Sequence, residues 1–246
     1  MSKFFVEKNQ ITDAGIEITG ADVNHIVKVL RARVGDELLI CDGEGLNYDV
    51  VIETISKDAV LTKVIRSYPC KTEPSVKVTL YQGLPKQGKM EWIIEKCTEI
   101  GVHTIVPVQM SRSVVKLNEE QARKKLERWQ KTAEAAAKQC GRGQIPHITM
   151  PITISDITTD NAPEFLLLPY EDEQTNDVKT TLSIEKKSSA GIFIGPEGGF
   201  APEEVEQLKA IGAKTVTLGP RILRTETAGP VTLSLLLYEW DEMNRQ

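Results

Sequence analysis

The sequence lacks the segments that would take a chain into or across a membrane. None of its 246 residues falls in an apolar run near the roughly 18 residues that a membrane-spanning helix needs. Met1–Glu7 lacks the apolar core and small-residue cleavage site of a signal peptide. With 40% apolar and 26% charged residues, the composition is typical of a soluble globular protein. We therefore expect a cytoplasmic protein with no membrane partner.

Cysteine motifs are also lacking. The four cysteines are scattered, with no CxxC pair and no short Cys/His spacing. They are Cys41, Cys70, Cys97 and Cys140. This scatter argues against a zinc site and against a disulfide framework, so we expect reduced cysteines and no metal.

Positive charge is unevenly distributed along the chain, whose net charge is −5. Residues 77–146 carry 13 lysines and arginines against 7 acidic residues, whereas residues 147–246 carry 8 against 16. Binding of a polyanion depends on where the positive charge lies. The negative total therefore does not exclude a nucleic acid as partner.

The first 70 residues have the pattern of a small β-barrel or sandwich. Short β-rich runs alternate with Gly and Asp turns. The predicted strands are 3–6, 17–19, 37–41, 48–53 and 59–65. One helix is predicted to interrupt them, beginning near Gly20 and ending before Arg31 and Arg33. These arginines either complement the helix dipole or contact RNA, and both interpretations remain open.

A proline-containing segment, Tyr68–Pro74, is the best linker candidate. It divides the chain into predicted domains of residues 1–72 and 73–246. A strand at 76–81, a helix at 90–100 and a strand at 104–108 then form a βαβ unit, which implies a parallel sheet and an α/β fold. The remaining predicted elements are helix 117–140, strand 164–170, strand 189–195, helix 202–211, strand 214–218 and helix 231–240.

Three loops follow predicted strands of the second domain: Leu168–Tyr170, Gly195–Gly199 and Gly219–Arg221. Because ligands bind at the carboxyl ends of parallel strands, we expect these loops to form one site. They lack the GxxxxGK[ST] and GxGxxG phosphate motifs, and Glu197 would repel a phosphate. The loops suit a neutral or cationic ligand held by main-chain groups; the alternative is ordinary turns. Thr225 or Thr227 is a candidate cap for the helix that follows.

Two of these loops, Ile194–Phe200 (IGPEGGF) and Leu218–Ala228 (LGPRILRTETA), resemble the signature of the RsmE family of ribosomal RNA methyltransferases, within the SPOUT superfamily. Further family-like pieces occur in the same order along the whole chain. They are His25–Arg31, Leu84–Glu91, Glu95–Lys96, Glu99–Gly101, Arg112–Ser113 and Gln139–Arg142.

The resemblance implies a PUA-like β-barrel followed by a SPOUT-type α/β methyltransferase domain with a deep C-terminal trefoil knot. It also implies a homodimer that uses S-adenosylmethionine (SAM) to methylate N3 of a uridine in 16S rRNA, in the small ribosomal subunit or its assembly intermediate. The implied cofactor-binding residues lie on the three loops. They are Leu168, Pro169, Ile194, Gly195, Pro196, Glu197, Gly198, Gly199, Leu218, Gly219, Arg221, Ile222 and Leu223.

The catalytic candidates follow the cofactor loop. Arg224 is predicted to stabilise the uridine anion, and Glu226 to act as a base or to orient Arg224. The alternative is a structural ion pair or helix cap. The candidate RNA contacts, each of which is otherwise ordinary solvated surface, are Arg31, Arg33, Lys86, Lys89, Arg112 and Arg142.

Two other functions remain open at this stage. A non-catalytic RNA-binding or assembly factor would keep the barrel and the positive charge but would have no use for the cofactor loops. A related SPOUT enzyme acting on tRNA or on another rRNA position would share the same chemistry.

Overall fold

The computed structural model describes residues 3–86, 88–183 and 186–244 and divides the chain into two compact units. The first comprises Met1–Glu73 and Ala137–Ile145, and the second comprises Pro74–Ala136 and Pro146–Gln246. The predicted division after residue 72 lies beside this boundary. Nothing in the sequence pattern anticipates that Ala137–Ile145 belongs with the first unit.

The first unit contains a six-stranded mixed sheet. Its strands are β1 (Lys3–Phe5), β2 (Ile11–Thr12), β3 (Gly15–Thr19), β4 (Glu37–Cys41), β5 (Leu46–Ile55) and β6 (Ala59–Pro69). They lie in the order β1-β4-β5-β6-β3-β2, and only the β1–β4 pair is parallel. Alternate side chains such as Ile16 and Ile18 of β3 are buried, as the period of two along a strand requires.

The predicted helix of this unit is present but changes type along its length. It comprises α1 (Ala21–Asn24) and a π-helical turn, His25–Val29, in which Leu30 N donates to His25 O at 3.0 Å. Within this helix, the side chains of Val23 and Ile26 are buried. A short 3-10 helix, Lys8–Gln10, lies between β1 and β2.

The second unit is built on a six-stranded sheet in which every pair is parallel. Its strands are β7 (Lys77–Gly83), β8 (Thr104–Val108), β9 (His147–Ile148), β10 (Phe165–Pro169), β11 (Ser189–Ile194) and β12 (Lys214–Val216). Its helices are α2 (Lys89–Ile100), α3 (Glu119–Cys140, of which residues 137–140 belong to the first unit), α4 (Val178–Leu182), α5 (Pro202–Ala210) and α6 (Thr225–Glu239), and Ile154–Asp156 is a 3-10 turn. The predicted βαβ unit is confirmed by the parallel pairing of β7 with β8.

The order of the strands brings the three predicted loops together. The sheet runs β12-β10-β11-β7-β8-β9, so the carboxyl ends of β10, β11 and β12 are neighbours. The central strands are apolar on both faces, as parallel strands covered by helices are. The loops that follow them therefore lie at one edge of the sheet.

The last helix differs most from its prediction. The sequence pattern places its start at Val231, but α6 begins at Thr225 and includes Pro230, although proline usually kinks or ends a helix. The predicted cap was also wrong: Arg224 is the N-cap, without a side-chain capping bond, and the Thr225 hydroxyl is bonded elsewhere. No helix in the described part of the chain is long and apolar enough to cross a membrane.

Candidate functional site

A cavity of about 860 Å³ lies at the carboxyl ends of β10, β11 and β12. This volume falls within the range of about 300–1,000 Å³ typical of small-molecule sites. Its wall is built from the loops that follow those three strands, with Lys89 from α2 and Thr225 and Ala228 from α6. The site is therefore at the place where α/β sheets bind ligands.

Most of the predicted cofactor-binding residues line this cavity. They are Pro169, Ile194, Gly195, Pro196, Glu197, Gly199, Leu218, Gly219, Arg221, Ile222 and Leu223. Two others do not. Leu168 is fully buried in the core, and Gly198 lies against Arg112, whose Nη1 donates to the Gly198 carbonyl at 3.2 Å.

The backbone of the loop after β11 favours glycine at position 199. Gly199 has φ +68°, in the left-handed region, and its N–H donates to the Pro196 carbonyl at 2.9 Å. The nearest atom to a Cβ built at Gly199 is Oε1 of Glu171, at 2.8 Å, the end of an exposed side chain that can move aside. The loop can therefore approach a ligand with its backbone, as its sequence predicts.

Glu173 orders the loop after β10, and sequence reasoning missed it. Its carboxylate accepts hydrogen bonds from the hydroxyl of Thr215 in β12, from Thr175, and from the backbone and side chain of Asn176. These donors, the Thr215 hydroxyl foremost, hold the pKa of Glu173 well below its usual range. The only sequence signal was its place in an acidic loop after a strand.

A chain of buried hydrogen bonds fixes the start of α6. Nε2 of Gln82, a fully buried residue of β7, donates to the Thr225 hydroxyl at 2.9 Å. That hydroxyl donates in turn to the Gly195 carbonyl at 2.6 Å. The side chain of Thr225 thus connects α6 to the loop after β11 instead of capping the helix.

A cluster of charge completes the wall. Nζ of Lys89 lies 3.0 Å from Oε1 of Glu197 and 2.9 Å from Oε2 of Glu226. The sequence predicts Lys89 as an RNA contact, but the structure places its ammonium group in the cavity wall beside Glu197, with Glu226 on its other side behind the wall. Glu226 forms its ion pair with Lys89, whereas Arg224 acts on it through longer-range attraction.

The other candidate RNA contacts fall into two groups. Lys86 and Arg112 are exposed beside the loop after β11, and the Lys86 N–H donates to the Glu197 carboxylate at 3.1 Å. Arg31 and Arg33 are exposed in the first unit. Arg142 differs from the prediction because it is buried, 4% exposed, with Nη2 at 2.6 Å from Oε2 of Glu73. A guanidinium group committed to a buried carboxylate cannot reach RNA.

The chemistry of the cavity fits SAM. Main chain and apolar side chains such as Ile194 and Leu223 can enclose a neutral adenosine, while the exposed carboxylate of Glu171 favours a cation such as a sulfonium. No phosphate-binding lysine follows the glycines of the loop after β11. Among the described residues there is no group of three His, Cys, Asp or Glu side chains placed to hold a metal ion.

Comparison with known proteins shows the family of this chain. An RNA methyltransferase domain family matches residues 72–237, and an RNA methyltransferase PUA domain family matches residues 18–65. The chain is 39% identical to the ribosomal RNA small subunit methyltransferase E of Bacillus subtilis, over 97% of both chains. The chain belongs to this methyltransferase E family.

Two solved structures extend the likeness to the fold. The Neisseria gonorrhoeae ribosomal RNA small subunit methyltransferase E bound to SAM is 28% identical, with a TM-score of 0.83 over 98% of each chain. A Legionella pneumophila methyltransferase in complex with its cofactor SAM has the same identity and TM-score over 96% of each chain. The predicted α/β methyltransferase fold with a PUA-like domain is therefore confirmed.

Proposed function

We propose that this chain methylates 16S rRNA of the small ribosomal subunit at N3 of a specific uridine, with SAM as the methyl donor. The observation that supports it best is the cavity at the ends of β10, β11 and β12, lined by main chain and carboxylates, in a chain of the methyltransferase E family. The SAM-bound relatives share the fold that builds this cavity.

Two loops on opposite sides of the cavity would bind the cofactor. The backbone of Gly195 and Gly199 permits close approach, and the loop from Leu218 to Leu223 closes the opposite side. Bound SAM supplies a methyl group that is already activated on a positively charged sulfur. The protein therefore needs to position the uridine and to manage its N3 proton.

Arg224 and Glu226 are the proposed groups for that task. Arg224 lies at the N-cap of α6, with an exposed side chain at the cavity, where a guanidinium group can stabilise negative charge developing on a uracil ring. Burial acts to raise the pKa of Glu226, but Lys89, the backbone N–H of Glu226 itself and Arg224 outweigh it, and the pKa lies below its usual value. Glu226 is thus ionised at neutral pH, which is the charge state that a proton acceptor requires.

Exposed cations beside the site are proposed to hold the RNA. Lys86 and Arg112 flank the loop after β11, while Arg31 and Arg33 would contact RNA from the PUA-like unit. Such contacts go mainly to phosphates, and they position the substrate without reading its sequence. Arg142 is left out of this surface because it is buried with Glu73.

We further infer a homodimer and a trefoil knot. Apolar side chains are exposed on two helices that pack against each other, Trp92 on α2 and Leu235 and Tyr238 on α6, which supports a partner surface there. The knot is supported by the family resemblance and by family membership. Sedimentation at micromolar concentration tests the dimer, and monomeric behaviour would contradict it.

The function is tested by supplying SAM and small-subunit RNA that lacks the modification, prepared from a deletion strain. We expect one N3-methylated uridine, located by digestion and mass spectrometry. Free 16S rRNA and intact subunits are compared, which identifies the true substrate. Methylation of tRNA or another rRNA position instead would favour the related SPOUT enzyme, and absence of SAM binding in calorimetry would favour a non-catalytic RNA-binding factor.

A further inference from the structure

Lys89 joins three separate elements at the cavity. It is the first residue of α2, whereas Glu197 lies in the loop after β11 and Glu226 in the first turn of α6. Both carboxylates lie within 3.0 Å of its Nζ atom. The side chain is 30% exposed and lines the cavity.

A second lysine on the same helix provides a comparison. Nζ of Lys96 also lies close to two carboxylates, at 2.7 Å from Glu95 and 3.0 Å from Glu99, and its side chain is 33% exposed. Both of these partners belong to α2 itself, and Lys96 is not part of the cavity wall. The two lysines thus match in charge, exposure and pairing. Of the two, Lys89 alone connects the loop after β11 to α6.

We propose that Lys89 is a positioning residue for methyl transfer. Its ammonium group holds the Glu226 carboxylate in place as the acceptor of the uridine N3 proton. Through Glu197 it also links that carboxylate to the loop after β11. This inference rests on the proposed function. In the step concerned, the N3–H bond breaks and its proton passes to Glu226. The electron pair left on N3 forms the N–CH3 bond, and the carbon–sulfur bond breaks with its pair on sulfur.

The charges around Lys89 exclude it as the base itself. The close carboxylates of Glu226, foremost, and of Glu197 raise the pKa of the Lys89 ammonium group, so it stays protonated. The charged groups that act on Glu226 are Lys89 from α2 and Arg224 at the start of its own helix. Glu197 is the second carboxylate paired with the same Lys89 ammonium group. Removing Lys89 leaves the burial of Glu226 less compensated, which raises the pKa of its carboxyl group.

The experiment compares Lys89→Met, Lys89→Arg and Lys96→Met in methyl transfer to small-subunit RNA. We expect kcat of Lys89→Met to fall by about tenfold or more, with a much smaller change in KM for SAM, since proton transfer contributes about 10²–10⁴-fold. As the pH is lowered, kcat of Lys89→Met should also begin to fall at a higher pH than kcat of the wild type. Lys89→Arg should restore most of the activity, and Lys96→Met should resemble the wild type.

A double-mutant cycle separates positioning from a general loss of folding. If Lys89 acts through Glu226, adding Lys89→Met to Glu226→Gln should cause little further loss of kcat. A full additional loss, or a Lys89→Met variant whose kcat and pH profile match those of Lys96→Met, overturns the inference. A wild-type enzyme that transfers no methyl group to this RNA overturns the proposed function instead.

Discussion

A methyl group added to Gly83 would lie 2.6 Å from the backbone nitrogen of Pro196, well inside van der Waals contact. Gly83 ends β7, and Pro196 belongs to the loop after β11 that lines the cavity. The absence of a side chain on one strand therefore sets the position of a loop on its neighbour. At this scale the site depends on single atoms.

Gly83→Ala should weaken SAM binding by about tenfold, because overpacking costs about 1–3 kcal/mol and part of that cost displaces Pro196. Calorimetry with SAM measures the effect. Gly212→Ala is the control: its φ of +96° makes alanine strained, but no atom lies within 4 Å of the new Cβ. It should lower the melting temperature and leave SAM affinity unchanged, and equal affinities for both variants would contradict the argument.

Arg224→Ala should lower the methyl-transfer rate by about 100-fold or more, because loss of one preorganised stabilising donor costs about 10²–10³-fold. SAM affinity should be close to that of the wild type, since main chain provides most of the proposed cofactor contacts. Single-turnover methylation and calorimetry test the two parts. Lys209→Ala on α5, which removes an exposed cation paired only with Glu206 along its helix, serves as the control. Near-normal turnover in Arg224→Ala would remove Arg224 from the mechanism.

At the scale of elements, one buried ion pair holds a distant segment in the first unit. Glu73 accepts hydrogen bonds from the Arg142 guanidinium and from the backbone N–H groups of Gly143 and Gln144. Nζ of Lys3 donates to the Gly141 carbonyl at 2.9 Å. These bonds fasten the segment Ala137–Ile145 to residues far away in sequence.

Arg142→Met should destabilise the protein by about 3–5 kcal/mol, the usual cost of leaving one partner of a buried ion pair uncompensated. Chemical denaturation measures this change. Glu73→Gln combined with Arg142→Met should recover part of the loss, because no buried charge then remains unpaired. A stable Arg142→Met variant with reduced RNA affinity would instead restore the predicted RNA contact.

The same pair predicts a pH dependence. Burial acts to raise the pKa of Glu73, but Arg142 and the backbone donors outweigh it, so the folded pKa lies below its ordinary value of 4.5. A carboxyl group with a lowered folded pKa stabilises the fold above its unfolded pKa and loses that contribution as the pH falls. Wild-type stability should therefore decline below about pH 4.5 more steeply than that of Glu73→Gln. Parallel curves would contradict this role.

At the scale of the whole molecule, charge is separated along the chain. The net charge is −5, yet residues 77–146 are rich in cations and residues 147–246 are acidic. Lys86 and Arg112 are exposed beside the loop after β11. An acidic protein can therefore present a cationic edge to RNA near its proposed methyl-transfer site.

Affinity for small-subunit RNA should fall steeply as salt is raised, because phosphate contacts release counterions. Lys86→Ala and Arg112→Ala should each lower the slope of log affinity against log salt by about one. Filter binding over a salt series tests this. Lys209→Ala, which removes a cation from α5, should leave the slope unchanged, and a flat response of the wild type would show that the cations are only solvated surface.

The sequence by itself determined most of the local elements and the position of the ligand loops, but not α4, β2 or the start of α6. Periods of two and 3.6 residues arise from burial of one face, and turn residues act through their own backbone, so both are readable from neighbouring residues. The βαβ unit, the parallel sheet and the loops at Gly195 and Gly219 were predicted in this way. The resemblance of the loop sequences to a known family predicted the activity, methyl transfer from SAM to RNA.

Only the tertiary structure decided which charged side chains meet. Lys89 and Arg142 look alike in sequence, as cations at the ends of elements, yet one pairs with Glu197 and Glu226 in a cavity and the other is buried against Glu73. Ion-pair partners lie far apart in sequence, and their meeting depends on strand order and on close approach between loops. Pro230 is a similar case, because the packing of α6 outweighs its local tendency to end a helix.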